Sequence, residues 1–584
     1  MMLLPLMAIT QEPEFKSIHQ VSQVYYQELG LKSIASYDSV NSFRYIKKAV
    51  ATGEALTKRV FGYHPYWGGS NYLNYQWHLL SDFCHFSYEV NPATGHPVTT
   101  HNWATSPAID SAMANGVKVH LCVTLFTGHS TFFNNPDARQ TLIENIITMI
   151  QTRDAHGVNI DIEALPSAYS QAFTDFIIEL CVQMNNLLPE AEVSIAAPAV
   201  NWSNKFNIPV LNQYIDFFMV MAYDYYWGGS GQAGPVSPLH SMTGYYDYNF
   251  SRTVSYYQSQ GVPNEKLVMG VPYYAYQWPT AAQYAPSSTT GSGSAFTYRY
   301  IRDHAASFYS PENKHFETNS FSPYFSFLTN GWNQCFMDDV YSMAKKFDLV
   351  NRRQLGGIGI WALGYDNGYT DFWDLIAEKF STGAMPVNAD TIYDSGGPAF
   401  SYYNNENYIY TITTMENTNI FLSFSYIDLE EDYDSLWIFD GADTLSSLIG
   451  TYTGDTIPLL ITASGNSMTL KFKSDAAITG SGWRAVYDSM PVSKVSAIHY
   501  REKVLIYPNP ARGKFTIDLP RRIEDNRLYV HIFDGTGKKV YADIIPVPDQ
   551  SLVIKIQGWP TGNYLVRISD EKGLLVSGKI QVID

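Results

Sequence analysis

Four cysteines among 584 residues, Cys84, Cys122, Cys181 and Cys335, are too few and too scattered for a disulfide framework, and none sits in a CxxC or Cys/His spacing that would hold a metal. Buried free thiols are therefore the expectation, with a disulfide allowed but not implied. Positive charge is also scarce. Against 55 Asp and Glu stand 38 Lys and Arg, a net charge of −17, which argues against nucleic acid or an anionic membrane as partner and for a neutral polymer. No apolar run is long enough to span a bilayer. Residues 1–10 are apolar like a signal-peptide core but lack the basic residues that precede one, and read as a signal remnant at the head of a polar, partly helical lead-in over 1–58.

Aromatic residues, by contrast, are plentiful at 15%, with 44 Tyr and 12 Trp, and flat amphipathic rings suit sugars as well as a large core. The length exceeds what one core supports, so several domains are expected. Strand-like runs at 60–63, 83–88, 117–125, 158–163, 193–197, 217–223, 267–271 and 358–361 alternate with helical stretches. In one of these, 172–188, Phe173, Phe176, Ile177, Leu180, Met184 and Leu187 recur at helical spacing. Eight such units over 59–382 predict a (β/α)8 TIM barrel, whose site lies at the carboxyl ends of its strands. The interval 279–351 is too long for a simple connection and predicts a Ser/Gly-rich loop at 287–294 plus a small insertion. Past residue 382 the helical period disappears. Short alternating runs over 388–488 predict a β-sandwich, and a linker near 489–500 leads to a second all-β domain at 500–584.

The most informative stretch is 157–163, Gly-Val-Asn-Ile-Asp-Ile-Glu. In a strand Asn159, Asp161 and Glu163 share one face, with Val158, Ile160 and Ile162 on the other. Two acids so close do not both ionise cheaply, so Asp161 pushes Glu163 toward its protonated form. A carboxyl that holds its proton is what cleavage of a glycosidic bond requires.

These residues resemble glycoside hydrolase family 18, the chitinase family, over roughly 59–380. Phe61-Gly-Tyr-His-Pro-Tyr-Trp67 resembles its first strand, and 156–163 the Asp-Gly-x-Asp-x-Asp-x-Glu signature of its fourth. Met221-Ala-Tyr-Asp224, Gly270-Val-Pro-Tyr-Tyr274 and Gly356-Gly-Ile-Gly-Ile-Trp361 resemble its sixth, seventh and eighth. The resemblance implies that Glu163 is the general acid and then base, while Asp161 orients the substrate's acetamido group as an internal nucleophile and Tyr223 donates to the developing oxazolinium. It places Tyr63, Asn159, Met221, Asp224, Tyr274 and Trp361 around the sugar, and implies no cofactor for catalysis. Taken singly, Tyr, Trp and Met on barrel strands are usually packing residues. His156 and Asn159 stand where the signature has its first two Asp, as in the branch resembling spore-cortex hydrolases, which leaves the pH optimum open.

The middle domain resembles a CUB domain through Asp432-Tyr-Asp-Ser-Leu-Trp-Ile-Phe-Asp-Gly441, Gly450-Thr-Tyr-Thr-Gly454, Leu470-Lys-Phe-Lys-Ser-Asp475 and Gly482-Trp483. That resemblance implies a calcium site at Glu430, Asp434 and Asp475, against which stands the reading of solvated turn carboxylates. The tail resembles a type IX secretion sorting domain through Tyr507-Pro-Asn-Pro510, Gly537, Gly562-Asn-Tyr-Leu-Val-Arg-Ile568 and Lys579-Ile-Gln-Val-Ile-Asp584. It implies the type IX secretion machinery as a partner and a secreted or surface-attached protein. Together these imply a secreted chitinase-type hydrolase acting on chitin or another N-acetylglucosamine polysaccharide. The alternatives are a hydrolase of peptidoglycan or of the N-glycan core, and a lectin on the same barrel, which typically lacks the Glu that is present here.

Overall fold

The computed structural model describes residues 15–46, 55–242, 246–458, 460–491, 505–519, 527–535, 539–546, 551–570 and 573–583. The expected signal remnant at 1–10, most of the linker at 489–500, and Gly537 lie outside the described residues.

The first compact unit, 1–384, is built on eight parallel strands. They are β1 (Arg59–Pro65), β2 (Asp82–Val90), β3 (Lys118–Leu125), β4 (Gly157–Ile162), β5 (Glu192–Pro198), β6 (Phe217–Met221), β7 (Leu267–Pro272) and β8 (Gly357–Trp361). Each pairs with its sequence neighbours, and β8 closes back on β1. The strands are buried on both faces, which is why they read as near-continuous apolar runs rather than strict alternations. In register, Thr124 on β3 faces Asp161 on β4, and Asn159 on β4 faces Ser194 on β5. Helices such as Pro136–Arg153 and Ser170–Leu187 bury Leu142, Ile146, Ile150 and Phe173, Ile177, Leu180 against the outside of the barrel.

The closed end of the barrel is tied by charge. Arg59 meets Glu192 at 2.7 Å and Asp82 at 3.4 Å, while His120 lies 2.8 Å from Asp82. This network links β1, β2, β3 and β5 at their amino ends, the face that serves stability rather than chemistry in such barrels.

The insertion after β7 is larger and more regular than a loop with a small addition. Strands Ser294–Thr297, Tyr274–Thr280, Trp332–Phe336, Ser322–Leu328 and Lys314–Glu317 form one antiparallel sheet in that order. Most of the segment expected as loop is loop: Ser287–Ser288 makes a short pairing with Gln232–Ala233, and the edge strand begins at its last residue, Ser294. The alternation of buried Tyr274, Tyr276 and Trp278 gives the strand Tyr274–Thr280 its inward face.

The second unit, 385–584, begins with two four-stranded sheets packed on Leu422, Phe424, Leu436, Ile438, Phe472 and Trp483. Seven further strands follow, with a separate core that includes Phe515, Ile517, Val530, Ile532, Val566 and Ile568.

The lead-in is not an appendage. It forms α1 (Ile18–Glu28) and α2 (Ile34–Val40), each opened by a serine cap, Ser17 accepting from the Gln20 amide and Ser33 from that of Ser36. Both lie against the first unit's core, with Ile18 and Tyr37 buried in it.

Candidate active site

At the carboxyl end of β4, Asn159, Asp161 and Glu163 line up as strand geometry requires, all buried. Asn159 is held from two sides: its Oδ1 accepts from the Tyr63 hydroxyl on β1 at 2.7 Å, and its amide donates to Ser194 Oγ on β5 at 2.9 Å. The Glu163 carbonyl lies 2.9 Å from His129 Nε2, and the chain then turns through a left-handed Ala164, φ +52°. Such a conformation in a residue with a side chain is concentrated at functional ends of elements. Asp224, after β6, has φ +57°; its carboxylate accepts from the Tyr274 hydroxyl. Gly270 on β7 has a reason to lack a side chain, since a Cβ there would meet the Val220 carbonyl at 2.7 Å and the Tyr223 ring at 2.8 Å.

The expected residues therefore converge, but around a guest from the chain itself. His19, on the first turn of α1, is fully buried among them. Its Nδ1 lies 2.8 Å from Asp161 Oδ2 and 3.2 Å from Glu163 Oε1, its Nε2 lies 2.8 Å from the Tyr223 hydroxyl, and its ring stacks on Trp361 at 3.6 Å. The Ile18 amide donates to Asp224 Oδ2 at 3.0 Å. One Nδ1 proton cannot serve both carboxylates, and Asp161 Oδ1 and Glu163 Oε1 are left without a hydrogen-bond partner.

Electrostatics follow from this crowding. Burial by itself would lower the His19 imidazole, but the charge and hydrogen bond of Asp161 and the nearby charge of Glu163 outweigh it and hold the ring up to about 10, so it is an imidazolium at neutral pH. Burial and the charge of Asp161 raise Glu163 above the usual carboxylate range, against the opposing pull of His19 and Ser17. Burial lifts Asp224 to about 7 despite hydrogen bonds from Tyr274 and the Ile18 amide.

Tyr63 and Trp361 sit beneath His19, their rings 5.5 Å apart and both fully buried. Met221 is half-buried and lines, with Glu163, Tyr223, Asp224 and Trp227, an open cleft of about 500 Å³ beside the guest. His156 does not reach the carboxylates; it accepts from the Val119 amide on the neighbouring strand at 3.1 Å. Sequence reasoning missed Ser17 and His19, because a helix 142 residues from Asp161 announces only its cap.

In the second unit, Glu430, Asp434 and Asp475 also come together, each offering an oxygen within 4.8 Å of the others. Asp434 is buried and engaged by the Tyr402 hydroxyl and the Asp475 amide, while Glu430 Oε2 is buried without a hydrogen-bond partner. Local desolvation and the charges of Asp475 and Asp434 raise Glu430.

The family model for glycosyl hydrolases family 18 matches residues 59–366, more than half of the chain. A CUB domain matches 384–487, and a secretion system C-terminal sorting domain matches 505–583. A protein of Bacillus subtilis (strain 168) with the name "Putative sporulation-specific glycosylase YdhD" is 29% identical over 303 residues, covering 49% of this chain and 68% of its own. Chitinase C of Streptomyces lividans is 28% identical over 169 residues, covering 28% of this chain and only 26% of that enzyme. Among solved structures, the GH18 chitinase of Cycas revoluta in complex with (GlcNAc)4 is similar with a TM-score of 0.49 at 17% identity, over 55% of this chain and 99% of that one. Group IV chitinase of Ostrinia furnacalis in complex with allosamidin gives 0.47 at 22% identity, over 55% and 95%.

Proposed function

Because the chain belongs to glycosyl hydrolases family 18 and is a chitinase-like glycoside hydrolase, we propose that its barrel cleaves β-1,4-linked N-acetylglucosamine polymers, chitin first among them, by substrate-assisted retaining catalysis. The observation that carries this reading is the convergence of Asp161, Glu163 and Tyr223 on one point above Trp361, the point His19 occupies. Glu163, held toward its protonated form, gives its proton to the glycosidic oxygen as the bond from that oxygen to the anomeric carbon breaks. The acetamido oxygen bonds to the same carbon, with Asp161 accepting from the acetamido N–H and Tyr223 donating to the oxygen. The Glu163 carboxylate then takes a proton from water as that water attacks the anomeric carbon and the ring of the intermediate reopens. Asp224, engaged by Tyr274 and held near neutrality by burial, is poorly suited to act as an enzyme nucleophile. Asn159 positions Tyr63, and Met221 and Trp361 shape the sugar's surroundings.

The tail's match to a sorting domain supports export by the type IX machinery to the medium or the cell surface; no helix among the described residues is long and apolar enough to cross a membrane. Catalysis as proposed needs no cofactor. In the CUB domain the donor set is all oxygen and includes a buried, unpartnered carboxylate atom, so Glu430, Asp434 and Asp475 fit a hard cation, and we assign them to calcium. The substrate is tested by incubating the protein with chitin oligomers, peptidoglycan and an N-glycoprotein and identifying the products by mass. Cleavage confined to peptidoglycan or glycoprotein would replace chitin as the substrate, and cleavage of none would remove the reading.

A further inference from the structure

Family membership gives no role to the segment that fills the mouth of the barrel, which lies wholly before the matched residues. Residues 15–42 cross the cleft and set a ring against each of three tryptophans on the way. Phe15 meets Trp227 edge-on at 5.2 Å, His19 stacks on Trp361 at 3.6 Å, and Tyr26 stacks on Trp67 at 5.0 Å, nearly parallel. With the segment seated, Trp67 and Trp361 are fully buried, and aromatic faces of this kind are surfaces on which flat ligands stack. Between them the polar groups are engaged as well: Asp161, Glu163 and Tyr223 by His19, and Asp224 by the Ile18 amide.

The docking is specific along its length. Asp38 accepts from the Ser70 amide and hydroxyl, both at 2.6 Å, and Gln27 donates to Glu89 at 3.0 Å. The Asn41 amide donates to the Trp67 carbonyl at 2.7 Å and its oxygen accepts from Tyr26 at 2.6 Å. By contrast, the outward side chains Val21, Val24 and Tyr25 are exposed and contribute little to the seat. The polar groups of the segment that matter are spent on the cleft.

We propose that residues 15–42 are an intramolecular inhibitor of the enzyme, with His19 as its key: seated, the segment holds the place of the N-acetyl sugar on Trp361, and only molecules in which it has swung out accept polysaccharide. This rests on the reading of Asp161, Glu163 and Trp361 as the sugar site. The sugar and the imidazole cannot both stack on Trp361, so apparent affinity for substrate falls by the fraction of molecules that are open.

The test is His19→Ala in the full chain, with Val21→Ala as a control on the same helix. Turnover of a fluorogenic N-acetylglucosamine dimer should rise about tenfold or more in His19→Ala and stay unchanged in Val21→Ala. In the Glu163→Gln background, where cleavage is silenced, adding His19→Ala should tighten binding of an N-acetylglucosamine tetramer by a similar factor. Unchanged or lower turnover in His19→Ala, with a thermal melt close to that of the parent, overturns the proposal. Amide exchange across α1 needs no substrate and separates the two readings. If neither protein acts on or binds N-acetyl sugars, the substrate assignment falls, and exchange decides the plug alone. Faster exchange in His19→Ala than in the parent then supports it, and equal exchange overturns it.

Discussion

Glu163→Gln keeps the shape of the side chain and removes only the transferable proton. Turnover should fall by about 10³ or more while tetramer binding persists, as single-turnover assay and calorimetry would check. Asp161→Asn should be impaired to a similar degree, because the acetamido group loses its acceptor and Glu163 the charge that lifts it. Asn159 gives a sharper test of the electrostatics. Its neutral amide sits between Tyr63 and Ser194 where the signature has an Asp. Asn159→Asp would bring another negative charge beside Asp161 and raise Glu163 further. Since the acid works while protonated, the alkaline limb of the kcat profile should move up by roughly one pH unit. An alkaline limb that stays in place would show that Asn159 does not act through Glu163. At this scale the sequence was legible where neighbours in sequence are neighbours in space: the acids of one strand predict their own coupling. His19 was illegible because its partners are joined to it only by tertiary structure.

Among the elements, the eight strands were readable to within a residue or two at most ends, since strands buried on both faces are written as short apolar runs bounded by turns. The insertion was readable as an insertion but its five-stranded sheet was not, because the short strands carry mixed aromatic and polar residues and pair across long separations. The seating of α1 carries its own pH dependence. The titratable groups facing His19 are Asp161, Glu163, Tyr223, Tyr63 and, through the Ile18 amide, Asp224. A histidine raised from 6.5 to about 10 contributes its full stabilisation below the lower value and loses it as pH rises through the higher one. Exchange across α1, corrected for intrinsic chemistry, should therefore accelerate through the alkaline range, and His19→Ala should lack that dependence. In the CUB domain, calcium should raise the melting temperature of the parent, and Asp475→Asn should abolish the rise; calorimetry that finds no calcium binding in the parent would return Glu430, Asp434 and Asp475 to ordinary turn carboxylates.

At the scale of the whole molecule, the barrel and the two β-rich domains keep separate cores, and among the described residues the groups found against Asp161 and Glu163 all belong to the first unit. A chain ending at Ser381 should thus retain its activity on soluble oligomers, with any loss confined to insoluble polymer, where an attached domain raises local concentration. Deleting 504–584 should leave catalysis intact and keep the protein inside the exporting cell; its normal appearance outside would end the export reading. The division was visible in sequence as a change of period near residue 382, whereas the use of the lead-in as part of the barrel's mouth was not, since polar helical segments of that kind commonly do no more than connect. The account turns on how the glycosidic bond is broken, and the most direct measurement is the anomeric configuration of the first product, followed by NMR as the full-length protein and its His19→Ala variant hydrolyse an N-acetylglucosamine tetramer. The account predicts that the fresh reducing end appears in the β form in both and mutarotates afterwards; a first product in the α form would contradict it.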